Sequence, residues 1–302
     1  MSTAEITAAP AGRHGEQPAG ARAAARPGAL RSWLRLLGSE LRLIFRRVRN
    51  LALLGVLVVL PLVLGIALWV ATPRGGGGPE SSFIDQLAGN GIFLSLIALT
   101  IMLTLVLPLA VAVVSGDSIA GEAGYGTLRY LLTVPAGRTR LLSVKYAAIV
   151  VFALVSCLLV AAVSLILGVV LFPVGPVTLL SGNTVSLADG LLRLLYVTLY
   201  VAAAMSALGA IGLAASTLTE HAIGAIAAIM VLAVASEVAD NVPQFAVVQP
   251  YLPTHWWLSF DSLLRSPIAT GDLVHGLLSF AVYAVIFGSI AWARFTSADV
   301  TS

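Results

Sequence analysis

The stretch GEAGYGTLRYLLTVPAGRTR, residues 121–140, stands between two apolar runs, each long enough to cross a membrane. It carries Glu122, Arg129, Arg138 and Arg140, four glycines and Pro135, and just beyond it lies Lys145, the chain's only lysine. Charged groups are costly in hydrocarbon, so such a segment belongs outside it. The runs on either side decide the fold. Only 10% of the 302 residues are charged, against about 25% in a soluble domain, and the mean hydropathy is +0.98. Apolar runs recur at about 20 residues, the helical length that crosses about 30 Å of hydrocarbon. A β-barrel would show short alternating segments instead. The expected fold is an all-α integral membrane protein with six transmembrane helices.

The spans are read at 51–71, 91–114, 146–172, 191–215, 221–239 and 273–293. Fourteen of the seventeen basic residues fall in the arm up to Asn50, in segment 115–145 and at Arg294; Arg74, Arg193 and Arg265 fall on the other side. The positive-inside rule then places both termini and the quoted stretch in the cytoplasm. An excess of Ala, Gly and Arg beside one Lys suggests a GC-rich bacterial genome, hence the bacterial cytoplasmic (plasma) membrane, crossed several times. Residues 1–29 lack an apolar signal core and are expected to be a disordered cytoplasmic tail; residues 30–302 form the six-helix membrane domain.

Segment 30–49 reads LRSWLRLLGSELRLIFRRVR. Leu30, Trp33, Leu34, Leu37, Leu41, Ile44, Phe45 and Val48 recur at three- and four-residue steps, and Arg31, Arg35, Arg42, Arg46 and Arg49 fall largely on the other face. This is an interfacial amphipathic helix with its arginines toward lipid phosphates, and it can also brace a cytoplasmic partner. Segment 240–272 holds Pro243, Pro250, Pro253 and Pro267, which forbid one continuous helix. Its aromatic residues suit the outer membrane boundary, where short helices are expected, and His255, Trp256 and Trp257 read as interfacial residues. The seams Ala202, Ser206, Ala210, Ala214 and Gly224, Ala228 read as close packing within one bundle.

Several chemistries are missing from the sequence. There is no G-x-x-x-x-G-K-[ST], so the chain is no P-loop ATPase, and the RGGGG run at 74–78 reads as a linker. There is no H-E-x-x-H, C-x-x-C or G-x-S-x-G. His14, His221, His255 and His275 are scattered, which gives no metal constellation. Cys157 lies within a span and reads as a packing residue. Asp189 and Arg193, four apart, are expected to pair. Charge deep in the spans is nearly missing, which disfavours an ion-coupled carrier. A membrane enzyme built on His255, Glu237 or Asp240 has little support.

The extended stretch 117–145 reads DSIAGEAGYGTLRYLLTVPAGRTRLLSVK. Gly124 and Gly126 permit a break, Thr127 can cap a helix at TLRYLLTV, and Pro135 and Gly137 end it. Leu128, Leu131 and Leu132 give that helix an apolar docking side. The pattern Asp117, Glu122, Gly126-Thr127-Leu128, Leu131-Leu132, Pro135, Arg138 and Lys145 resembles the signature of ABC-2 type transporter permeases, and the resemblance extends over residues 30–302. It implies a permease chain with no catalytic residue, cofactor or metal of its own. ATP and Mg would be bound by a partner ATPase (nucleotide-binding) subunit. A second permease subunit, identical or related, would complete a dimer in membrane lipid; nucleic acid has no part. The resemblance also implies that Asp117, Glu122, Gly126, Thr127, Leu128, Leu131, Leu132, Pro135 and Arg138 form the ATPase-coupling segment. The function implied is export of an apolar or amphipathic substrate such as a drug, lipid or natural product. Some members instead pass mechanical work to an extracytoplasmic partner. On the export reading, Glu122→Ala leaves expression intact and uncouples hydrolysis from transport.

Overall fold

The computed structural model describes residues 29–71, 90–124, 137–179 and 181–297. The N-terminal tail, the 74–78 linker and the expected coupling helix at 127–134 lie outside the described residues, and with them Gly126, Thr127, Leu128, Leu131, Leu132 and Pro135.

Helices make up almost all of the described chain. In order they are α1 (Ala29–Arg46), α2 (Val48–Ala71), α3 (Ile92–Thr104), α4 (Val106–Gly124), α5 (Arg138–Leu171), α6 (Leu187–Leu218), α7 (Ala222–Asp240) and α8 (Thr270–Ser297). Six of them, all but α1 and α3, are long and apolar enough to cross a membrane. A two-residue antiparallel pairing, β1 (Val177–Thr178) with β2 (Thr184–Val185), joins α5 to α6. Three short 3-10 helices, Pro243–Phe245, Gln249–Tyr251 and Ser259–Leu264, lie between α7 and α8. The prolines there stop an α-helix but suit the first turn of a 3-10 helix.

Two boundaries differ from the sequence expectation. The second span, read at 91–114, is a broken helix that runs to Gly124, with the break at Leu105 (φ −143°, ψ −46°). Pro108 lies three residues beyond that break, and its missing N–H and bulky ring disfavour a continuous ladder at this point. Apolar content alone marks where a helix can sit in lipid, not where it stops, so Asp117 and Glu122 are in α4 rather than in a loop after it. Likewise α5 starts at Arg138, not at 146, carrying Arg138, Arg140 and Lys145 on its first turns.

The centre of the bundle is α4 and α6. Their most apolar windows are 72% buried, against 17% for α2, 22% for α7 and 11% for α8. α6 packs against α8, α4 and α5, and α4 also packs against α7. The outer helices turn Val59, Val63, Ile66, Val231, Val282 and Val285 outward, as a lipid-facing surface requires. Small residues set the inner approaches. A methyl group at Gly212 on α6 would collide with Ser115 on α4. The α6 seam is internal as expected: Ala202, Ala210 and Ala214 are buried. The α7 pair is not, because Gly224 and Ala228 are exposed on the outside of the bundle. The i, i+4 spacing fixes that two residues share a face, not which way that face points.

Candidate functional site: the basic end of the bundle

The residues of the quoted stretch that can be placed gather at one end of the bundle. α4 carries Asp117 and Glu122 there on its last two turns, and α5 begins there with Arg138, Arg140 and Lys145. α1 lies across the same end. Its apolar side packs inward, with Ile44 and Phe45 against the core and the Phe45 ring 5.8 Å from Phe152 on α5. Two side-chain bonds fix α1 to the start of α5: Trp33 Nε1 donates to Ser143 Oγ (3.1 Å) and Arg140 Nη1 to Ser32 Oγ (3.3 Å). On the other flank of α5, Arg138 Nη1 donates to the Thr296 carbonyl (2.9 Å), and Trp292 Nε1 of α8 donates to Thr139 Oγ1 (3.1 Å).

Two ionic clusters complete this end. In one, Lys145 Nζ is 2.6 Å from Glu122 Oε1 and 3.5 Å from Glu40 Oε1. The Lys145 side chain is 3% exposed and both carboxylates are nearly buried. Enclosing a lysine is costly unless carboxylates lie beside it, as they do here. In the other, Asp117 pairs with Arg47 and, at 2.9 Å, with Arg49. Asp117 is buried, whereas both arginines are about half exposed. Asn50 stands beside them at the α1–α2 junction, its Nδ2 donating to the Ile44 carbonyl (2.9 Å). Its buried Oδ1 has no hydrogen-bond partner among the described residues. Glu40, Arg47, Asn50, Asp117, Glu122 and Lys145 line one cleft.

The geometry refines the sequence reading. Asp117 and Glu122 face into the bundle, where Asp117 holds the α1–α2 junction and the start of α2, and Glu122 holds the start of α5. Arg49 is not on the outer face of α1: it lies on the first turn of α2 and pairs with Asp117. Arg31, Arg35, Arg42 and Arg46 are exposed on α1 as expected. Glu40, Arg47 and Asn50 were missed. The available signal was Glu40 itself, the only acid in a helix whose other charges are all arginine.

The opposite end is built differently. Arg193 Nε donates to Asp189 Oδ2 (3.1 Å), the expected i, i+4 pair, and its guanidinium also bonds the Leu263 and Arg265 carbonyls. His255 Nδ1 lies 2.5 Å from Asp240 Oδ1, and its ring stands edge-on to Trp256 at 4.7 Å. Trp256 Nε1 donates to the Pro250 carbonyl, and Trp257 is buried. No described hydroxyl or thiol bonds His255, so these three residues brace the outer segment. Among the described residues no group of three or more His, Cys, Asp or Glu could hold a metal ion.

No curated protein matches the chain. The family model described as ABC-2 family transporter protein matches residues 45–236, from the end of α1 into α7, a range that includes Arg47, Arg49, Asp117, Glu122 and Lys145 but not Glu40. With about two thirds of its length so matched, the chain belongs to the ABC-2 transporter family and is a membrane-embedded permease of an ABC transporter.

Proposed function

We propose that the chain couples ATP hydrolysis by a separate ATPase subunit to export of an apolar or amphipathic substrate, acting as one of two permease subunits. The basic end faces the cytoplasm under the positive-inside rule, with both chain termini on that side. One observation supports the reading most. Segment 125–136 is bounded by Glu122 on α4 and by Arg138 and Lys145 on α5. Through Lys145 and Glu40 those anchors are tied to α1, and through Arg138 to α8. A push on the segment would therefore reach four helices at once instead of being absorbed by a loose loop. Asp117, Glu122 and Arg138 act as the transmission, while Leu128, Leu131 and Leu132 supply the docking side.

ATP binding can bias such a bundle between inward- and outward-facing states if it favours one by about 5.5 kcal/mol for a near-complete swing. ATP and Mg bind the partner, and this chain contributes no catalytic group. The spans carry no charge at mid-depth, which suits a cargo without strong charge.

A second reading drops transport and passes work to an extracytoplasmic protein. It is favoured by the outer segment, which exposes Phe245, Val247 and Tyr251.

The test is mild purification of the tagged chain from its native membrane, with an ATPase assay and identification of what accompanies it. Recovery of a stoichiometric P-loop ATPase, lost on Leu131→Asp with Leu132→Asp, supports the coupling reading. Repeated recovery of the chain without any ATPase overturns it. An outer protein lost on Tyr251→Ala would favour the second reading.

A further inference from the structure

Arg31, Arg35, Arg42 and Arg46 are all exposed, and none forms an ion pair among the described residues. At roughly 100° per residue these four fall within an arc of about 60° on α1. Trp33, which bonds α5, and Glu40 and Ile44, which face the bundle, cluster on the far side. The stripe thus points directly away from the protein. One of its flanks is apolar: Leu30, Leu34 and Leu41 follow one another there, with Leu30 71% and Leu34 52% exposed. The opposite flank carries Ser39 and Leu43.

This three-sided arrangement fixes how α1 sits. The exposed leucine flank needs hydrocarbon, so it faces the acyl chains. The arginine stripe, a quarter turn round the helix, then lies at the depth of the phosphates and faces sideways along the leaflet. Arginine's planar fork suits phosphate oxygens, and four such forks spread over about four turns exceed what neutralising a single headgroup requires. We propose that this stripe is a binding site for anionic phospholipids of the cytoplasmic leaflet, with headgroups on Arg31, Arg35, Arg42 and Arg46 and acyl chains against Leu30, Leu34 and Leu41. The assignment to the cytoplasmic leaflet rests on the orientation given above. Binding itself needs no ATPase subunit. Because Glu40 and Arg47 tie α1 to α4 and α5, lipid on the outer side and the ionic clusters on the inner side hold one helix between them.

The test uses the full chain in nanodiscs of mixed phosphatidylcholine and phosphatidylglycerol, with native mass spectrometry counting each lipid retained. The wild type is expected to retain phosphatidylglycerol preferentially. Each Arg→Gln change in the stripe should weaken that preference about fivefold, the effect of losing one basic residue near an anionic surface. The fourfold Arg→Lys variant, which keeps the charge but loses the fork, should fall between the wild type and the fourfold Gln variant. Equal phosphatidylglycerol enrichment in the fourfold Arg→Gln variant overturns the proposal. The lipid readout is made without the ATPase subunit, so failure of the transporter-coupling reading would leave it standing.

Discussion

Lys145 Nζ and Glu122 Oε1 lie 2.6 Å apart although the residues are 23 positions apart in the chain, and the lysine is almost wholly enclosed. The pair joins the end of α4 to the start of α5 on either side of segment 125–136. A buried ion pair adds little net stability compared with apolar residues of the same shape, but loss of one partner leaves an uncompensated charge. The value of this pair lies in fixing one arrangement of the two helices.

That asymmetry can be measured. Lys145→Met should destabilise the protein by about 3 kcal/mol, the low end for breaking a buried pair. Adding Glu122→Gln should restore most of the loss, because the stranded carboxylate is then neutral. Thermal unfolding of the single and double variants in one detergent tests this, and simple additivity would show that the two groups do not interact. The pairing also changes what is expected of Glu122→Ala. That variant leaves Lys145 with only Glu40, at 3.5 Å, so its folded yield should fall along with coupling. Glu122→Gln is the cleaner probe of transmission.

The second cluster should respond unequally to loss of its acid and loss of its bases. Asp117 is buried, whereas Arg47 and Arg49 are about half exposed. Removing the acid leaves two arginines that water can still reach, so Asp117→Asn should cost about 1 kcal/mol. Removing both arginines strands the carboxylate, so Arg47→Met with Arg49→Met should cost about 3 kcal/mol. Chemical unfolding in micelles separates the two cases, and equal losses would mean that the burial difference has no energetic weight.

The two clusters show what could and could not be read from the chain. Six spans were legible because hydrocarbon imposes a length and a composition on every crossing. The spacing of Asp117, Glu122, Arg138 and Lys145 was legible as a pattern, as was the likeness of the whole to a transporter family. The partners were not. Glu40 and Arg47 reach the pattern from another helix, and sequence spacing says nothing about contacts between helices distant in the chain. The broken second span shows the same limit: Asp117 and Glu122 are polar enough to suggest a loop, yet α4 continues through them because their charges are met inside the protein. The seam at Gly224 and Ala228 gave a face without a direction.

Cys157 offers a direct check on the packing of α5. It is the chain's only cysteine and is fully buried. A membrane-permeable maleimide should therefore leave the folded protein unlabelled and react fully once it unfolds. Labelling that tracks the thermal transition would make Cys157 a native reporter of stability for the variants above. Prompt labelling of folded protein would contradict the packing of α5 against its neighbours.

The contact between Gly212 and Ser115 sets how closely α6 and α4 approach at the centre of the bundle. A methyl group at Gly212 would meet the Ser115 hydroxyl, which already donates 2.7 Å to the Val111 carbonyl, and would come within 2.6 Å of Ser115 Cβ. Neither helix can move aside easily, because each is packed on several others. Gly212→Ala should therefore destabilise by about 1–3 kcal/mol through overpacking, despite alanine's better helix propensity. Truncating the opposing side chain with Ser115→Gly should recover most of that loss in the same chain, whereas Ser115→Ala keeps the Cβ in the way and should recover little. Melting temperatures of the three chains decide the point: equal rescue by both would place the clash at the hydroxyl alone, and rescue by neither would mean that the two helices do not meet there.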